Sequence, residues 1–133
     1  MKQNMALAPL LLTFALLPLL AACSSVSIDT RQFLGLPTYP PTDPATVQIL
    51  REPPARPHER LGEIYAEPSG KPPVSEIEDK LRQAAAKIGA NAVVIVADRT
   101  QRMGTIITGP WWGGRISPVY GRVIVGVAIR YTT

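Results

Sequence analysis

The chain opens on a single long apolar run and then changes character three times. Met5 to Ala22 is almost wholly apolar, and Lys2 is the sole side-chain charge before Asp29. One cation followed by such a run reads as the n-region and h-region of an export signal over residues 1–22. Pro9 and Pro18 interrupt the run, which already sits at the short end of the ~20 residues a membrane-spanning helix needs. Residues 23–45 then show no sustained apolar period and carry Pro37, Pro40, Pro41 and Pro44. They are expected to form an extended tether of polyproline character, about 3.1 Å per residue and so roughly 60 Å in reach. Within it, Ile28, Phe33, Leu34 and Leu36 have two outcomes: packing back on the domain, or packing on a partner.

From residue 46 the periodicities become regular. Thr46-Val-Gln-Ile-Leu50 is short, β-branched and bounded by prolines, which suits an edge strand. Arg60 to Glu67 alternates imperfectly, with Gly62 placed to make a bulge, and predicts a second strand. Ser75-Glu-Ile-Glu78 has capping-box spacing and predicts a helix start. Ile77, Leu81, Ala84, Ala85 and Ile88 then recur on one helical face, and Gly89 supplies the left-handed stop. Asn91 is expected to bond local backbone as a turn residue. Asn91 to Ala97 is apolar on both faces and too short for a helix, so it should be a covered strand. In Arg122 to Tyr131, Val123, Val125, Val127, Ile129 and Tyr131 form one row; Ile124, Gly126 and Ala128 form another, whose small members could admit the helix. The expected fold is α+β, one helix packed on a small, mostly antiparallel sheet in the order β-β-α-β-β, over residues 46–133.

Composition changes this picture little. The chain of 133 residues has 14 Lys and Arg against 10 Asp and Glu, and losing Lys2 with the signal leaves a modest excess. Arginines such as Arg51, Arg99, Arg115 and Arg130 are scattered along the sequence, so no nucleic-acid footprint is read. The single cysteine, Cys23, stands directly after the apolar run. Leu20-Ala21-Ala22-Cys23 resembles the lipobox of bacterial lipoproteins, which implies diacylglyceryl modification of the Cys23 thiol and a membrane anchor. Several acyl chains on one residue hold a protein on a bilayer stably, whereas one does so only marginally. An ordinary cleavage would instead leave a lone free thiol in an oxidising compartment. Ser24, not an Asp, follows, and by the same resemblance favours the outer membrane.

Ala85-Ala-Lys-Ile-Gly-Ala-Asn-Ala-Val-Val94 has the pattern A-x-x-x-G-A-N-A-V-V, which resembles a group of small bacterial envelope lipoproteins. That group includes the Rcs-system outer-membrane stress sensor and related uncharacterised lipoproteins. Val47 to Leu50, Leu61 to Ile64 and Gly126-x-Ala128 extend the resemblance over most of residues 46–131. It implies a tethered α+β domain on the periplasmic face of the outer membrane, with stress sensing as a role. This chain departs from that sensor in having no paired cysteines.

Candidate chemistry is thin. His58 is the sole histidine, so no metal cluster or Cys/His pair is expected. Glu76, Glu78 and Asp79 fit the favourable charge at a helix N-terminus, and Gly113-Gly114 lacks the spacing and lysine of a phosphate loop. No enzyme activity and no cofactor is expected. Gly109-Pro-Trp-Trp-Gly-Gly-Arg115, inside the long connection between the last two strands, holds both tryptophans of the chain. Trp111, Trp112 and Arg115 form an aromatic-plus-arginine set of the kind found at interface hot spots. Two readings stand: a contact surface for a protein, glycan or membrane, or a loop whose tryptophans cover the open side of the sheet. The sequence therefore predicts a non-enzymatic envelope lipoprotein that engages another envelope component. The alternative is a structural or self-assembling envelope module, with oligomers as its product.

Overall fold

A computed structural model describes residues 24–132. The export segment, Cys23 and Thr133 lie outside the described residues, and with them the expected lipid anchor. The described chain is mixed α+β: five strands make one sheet, and a single α-helix packs on it. The strands are β1 (Ser25–Gln32), β2 (Gln48–Leu50), β3 (His58–Ser69), β4 (Ala92–Thr108) and β5 (Arg115–Tyr131), with helix α1 (Val74–Lys87) between β3 and β4. Across the sheet the order is β1-β3-β5-β4-β2. Three of the four pairings are antiparallel, and β2 runs parallel to β4. The expected β-β-α-β-β order is thus corrected by one additional strand at the start.

That strand falls inside the predicted tether. Ser25 to Gln32 pairs with β3 from Ser69 back to Gly62, and Val26, Ile28 and Leu36 pack against the helix-side core. The prolines that follow do not run free either. The Thr42 N–H donates to the Ala86 carbonyl at 2.9 Å and the Thr42 hydroxyl to the Ala90 carbonyl at 2.7 Å. The Tyr39 hydroxyl donates to Glu59 at 2.5 Å while Arg130 stacks on the Tyr39 ring. Asp43 caps a short 3-10 turn, Pro44–Thr46. The folded unit therefore begins at β1, well before residue 46.

Helix α1 follows its apolar stripe. Ile77, Leu81, Ala84, Ala85 and Ala86 are buried and meet Ile64, Ala66, Val93, Ile124 and Ala128 of the sheet in one cluster. The small row of β5 thus admits the helix, as its side-chain sizes require. A second cluster, Ala92, Val94, Val127 and Ile129, lies on the opposite pleat and explains why β4 begins apolar on both faces. The predicted capping box does not form: Pro73 is the N-cap, no side chain caps the helix, and Ser75 lies inside the first turn. A proline fits there because the first helical amides need no intrahelical acceptor. At the other end Gly89, at φ +82, donates to Ala86 and the Ala90 N–H to Ala85. These are the two bonds of a Schellman stop. Asn91 is not a local turn residue. Its side-chain carbonyl accepts from the Tyr131 N–H at 3.0 Å, tying the start of β4 to the end of β5.

Candidate functional site

The long connection expected between the last two strands is itself strand. After Ala97 and Asp98, β4 continues to Thr108, and β5 begins as early as Arg115. The pairing continues past Arg102 opposite Tyr120 and, after a bulge at Met103, runs unbroken from Gly104 with Val119 out to Thr108 with Arg115. Beyond Val94, β4 has no second neighbour, and β5 gains β3 only from Ile124 onward. The two strands therefore leave the sheet as a two-stranded arm with both edges unpaired. Six residue steps from Arg102 to Thr108 correspond to roughly 20 Å. Bulges in β4 between Ile95 and Ala97 and between Arg102 and Gly104 sit where the arm departs, and such insertions bend and twist a strand. Pro118 is tolerated because that stretch of β5 has a single neighbour.

At the tip, the Gly113 N–H donates to the Pro110 carbonyl at 3.0 Å, closing a β-turn whose two corner residues are Trp111 and Trp112. Corner positions of a turn point away from both strands, which accounts for exposures of 92% and 73%. The rings meet edge to face at 5.4 Å and so contact each other more than the sheet. The reading in which they cover the open side of the sheet is corrected by this placement. Arg115 opens β5 opposite Thr108, next to the tip. The three residues picked from sequence thus come together.

Further apolar side chains join them along the arm. Ile107 and Ile116 face each other across the arm, 74% and 72% exposed. Ile106, Met103 and Tyr120 are also exposed. The signal was present as β-branched runs on both sides of a Gly-Pro and Gly-Gly turn, which is hairpin chemistry. Charge is segregated as well. All ten acidic side chains lie at or before Asp98, whereas Arg99, Arg102, Arg115, Arg122 and Arg130 follow it. Arg122 is held by Asp98 in a two-point pair at 2.8 and 2.6 Å. The guanidinium hydrogen bonds hold the Asp98 carboxyl below the usual carboxylate range and raise Arg122 in turn. Among the described residues, Arg99, Arg102 and Arg115 have no carboxylate partner.

The base of the arm meets the entry of the described chain. Ser25 pairs with Ser69 at the end of β3 that lies towards the arm. Ser25 and Ser27 line one groove with Met103, Val119 and Tyr120. Cys23 precedes this point by two residues. Among the described residues, no three His, Cys, Asp or Glu side chains gather in a way that could hold a metal ion, and no helix is long and apolar enough to cross a membrane. The His58 Nδ1–H donates to the Arg56 carbonyl at 2.8 Å at the far end of the sheet, away from the arm.

No protein-family model matches the chain. No curated protein matches it either. Among solved structures, the crystal structure of the Francisella virulence factor FvfA is similar at a TM-score of 0.48 and 15% identity, covering 78% of this chain and 97% of that one.

Proposed function

We propose that this protein is a non-enzymatic lipoprotein of the bacterial cell envelope, anchored through Cys23, whose α+β domain holds out the β4–β5 arm to engage another envelope component. The single observation that carries the reading is the arm itself. A two-stranded ribbon is only marginally stable in water by its own contacts. Soluble monomers also rarely expose contiguous apolar surface without a use for it. Here Ile107, Ile116 and Tyr120 are exposed on one face of the arm, Ile106 on the other, and Trp111 and Trp112 at its tip, while the core of the domain closes without them. The export segment, the lipobox-like Leu20 to Cys23 and the resemblance to envelope lipoproteins support a place on the periplasmic face of the outer membrane, where one member of the group it resembles senses stress.

Cells expressing the full chain and fed labelled palmitate should yield labelled mature protein, and Cys23→Ala should abolish the label. Unlabelled wild-type protein at the same abundance would remove the anchor. For the arm, a photo-crosslinking residue at position 112 in intact envelopes should capture an envelope component. Captures unchanged from those of a probe at Lys87, on the helix, would speak against a contact role.

A second reading, a self-assembling envelope module, is favoured by the unpaired edges of the arm, since open strand edges template pairing with another chain. A mass that stays monomeric at high concentration would end it.

A further inference from the structure

We infer that the arm docks on an anionic lipid bilayer, the same one that holds the Cys23 anchor, and lies along its interface. This rests on the reading of the arm as the contact element and names what it contacts. Charge comes first. From Arg99 to Gly121 the chain carries three arginines and no acidic side chain; of the carboxylates at its base, Asp98 is paired with Arg122 and Glu67 shares a groove with Lys71 and Arg122. Arg99, Arg102 and Arg115 are exposed and have no carboxylate partner among the described residues. Unpaired cations beside exposed apolar side chains suit a surface of anionic headgroups over acyl chains. Tryptophan is the residue type most at home at that boundary, because its ring is apolar and its N–H polar. The same charges disfavour a second copy as occupant, since pairing two arms would set arginines against arginines.

Geometry supplies the second, independent ground. The described chain enters at Ser25, at the arm end of the sheet, where Ser25 and Ser27 share a groove with Met103, Val119 and Tyr120. A lipid on Cys23 would therefore hold the base of the arm at the membrane surface. With the base there, a perpendicular arm would drive its roughly 20 Å into the hydrocarbon. Its unpaired strand edges forbid this, because backbone N–H and C=O groups have no partner in hydrocarbon. The arm must lie along the interface instead, with the tryptophans in the boundary and the arginines, Arg102 on one face and Arg99 and Arg115 on the other, extending their long side chains to the headgroups.

The test uses the full chain and its own reporter, since the only two tryptophans sit at the tip. Protein is bound to vesicles of phosphatidylglycerol and phosphatidylethanolamine, or of phosphatidylcholine alone, and tryptophan emission is read. On the anionic vesicles the emission should shift to shorter wavelength and acrylamide quenching should fall. Bromines placed near the headgroups should quench more than bromines near the chain ends. Replacing Arg99, Arg102 and Arg115 by Gln should weaken the tip's own association roughly 100-fold, the factor expected for three arginines at an anionic surface. The triple variant should keep the wild-type Tm, because all three side chains are exposed. Vesicle-bound protein whose tryptophans stay open to acrylamide would overturn the inference. So would an equal shift on phosphatidylcholine, or a shift that appears without lipid as protein concentration rises. Loss of palmitate labelling with tip quenching retained would refute the anchor and leave the bilayer contact supported.

Discussion

Trp111 and Trp112 are the largest side chains in the chain and bury little of their surface. They are 92% and 73% exposed, so Trp111→Ala with Trp112→Ala should change the urea midpoint by an amount worth less than ~0.5 kcal/mol. Leu81→Ala makes the contrast. That side chain is 1% exposed, packed between the alanines of α1 and the sheet, and its truncation should cost about 2–5 kcal/mol. A tryptophan pair whose removal unfolded the domain would mean that the tip packs on the core in solution. Asp98 and Arg122 lie between these extremes. Their bidentate pair lowers the Asp98 pKa in the folded state, so its contribution is complete above the unfolded value of about 4 and is lost as pH falls through the folded one. Both side chains are more than a third exposed, at 45% and 36%, and solvent screens them to within ~1 kcal/mol. The wild type should thus exceed Asp98→Asn in urea midpoint at pH 7, and the gap should close below pH 4. A gap that persisted at pH 2 would assign it to packing instead.

Among the elements, β1 gives the clearest contrast between what was legible and what was not. Val26, Ile28 and Thr30 do alternate with Ser27 and Asp29, which is a strand signal. The prolines from 37 to 44 masked it, because proline-rich sequence reads as extended tether whether or not its carbonyls and hydroxyls find partners in the fold. Helix α1 was legible for the opposite reason: its stripe is long, its stop is Gly89, and no tertiary contact has to be known to see either. The capping box does not form because two prolines, Pro72 and Pro73, start the helix two residues earlier by fixing the backbone. Docking of β1 depends on Gly62, at the bulge opposite its end. A Cβ there would stand 2.5 Å from the Arg31 carbonyl oxygen and 2.9 Å from the Gln32 Cα, both backbone. Gly62→Ala should therefore lift β1, destabilise the domain by about 1–3 kcal/mol, and raise hydrogen exchange at residues 25–32 above that of β5. Uniform exchange changes across the sheet would show that β1 and the core open as one unit.

At the scale of the molecule, the arm is a strand pair without a buried face, and that is why its sequence looked like a loop. Period-2 alternation arises when one side of a sheet meets a core. From Arg99 to Tyr120 neither side does, so apolar and polar residues are free to occupy both, and only the turn and the β-branched content betray the hairpin. The segregation of acidic from basic residues around Asp98 is readable in the sequence, yet it acquires meaning only once the arm is known to stand apart from the sheet. No residue between Ile95 and Ile124 belongs to either core cluster. Replacing residues 102–120 by Asn-Gly would join Gln101 to Gly121, which already pair, through the two-residue turn favoured in hairpins. The shortened chain should melt cooperatively within about 5 °C of the wild type, a shift worth no more than ~1 kcal/mol for a domain of this size. It should also lose the crosslinks made through position 112 by having no tip to make them, while palmitate labelling at Cys23 continues. Loss of cooperative melting would instead show that the arm supports the sheet it leaves, and contact and stability would then have to be separated residue by residue rather than by cutting the arm away.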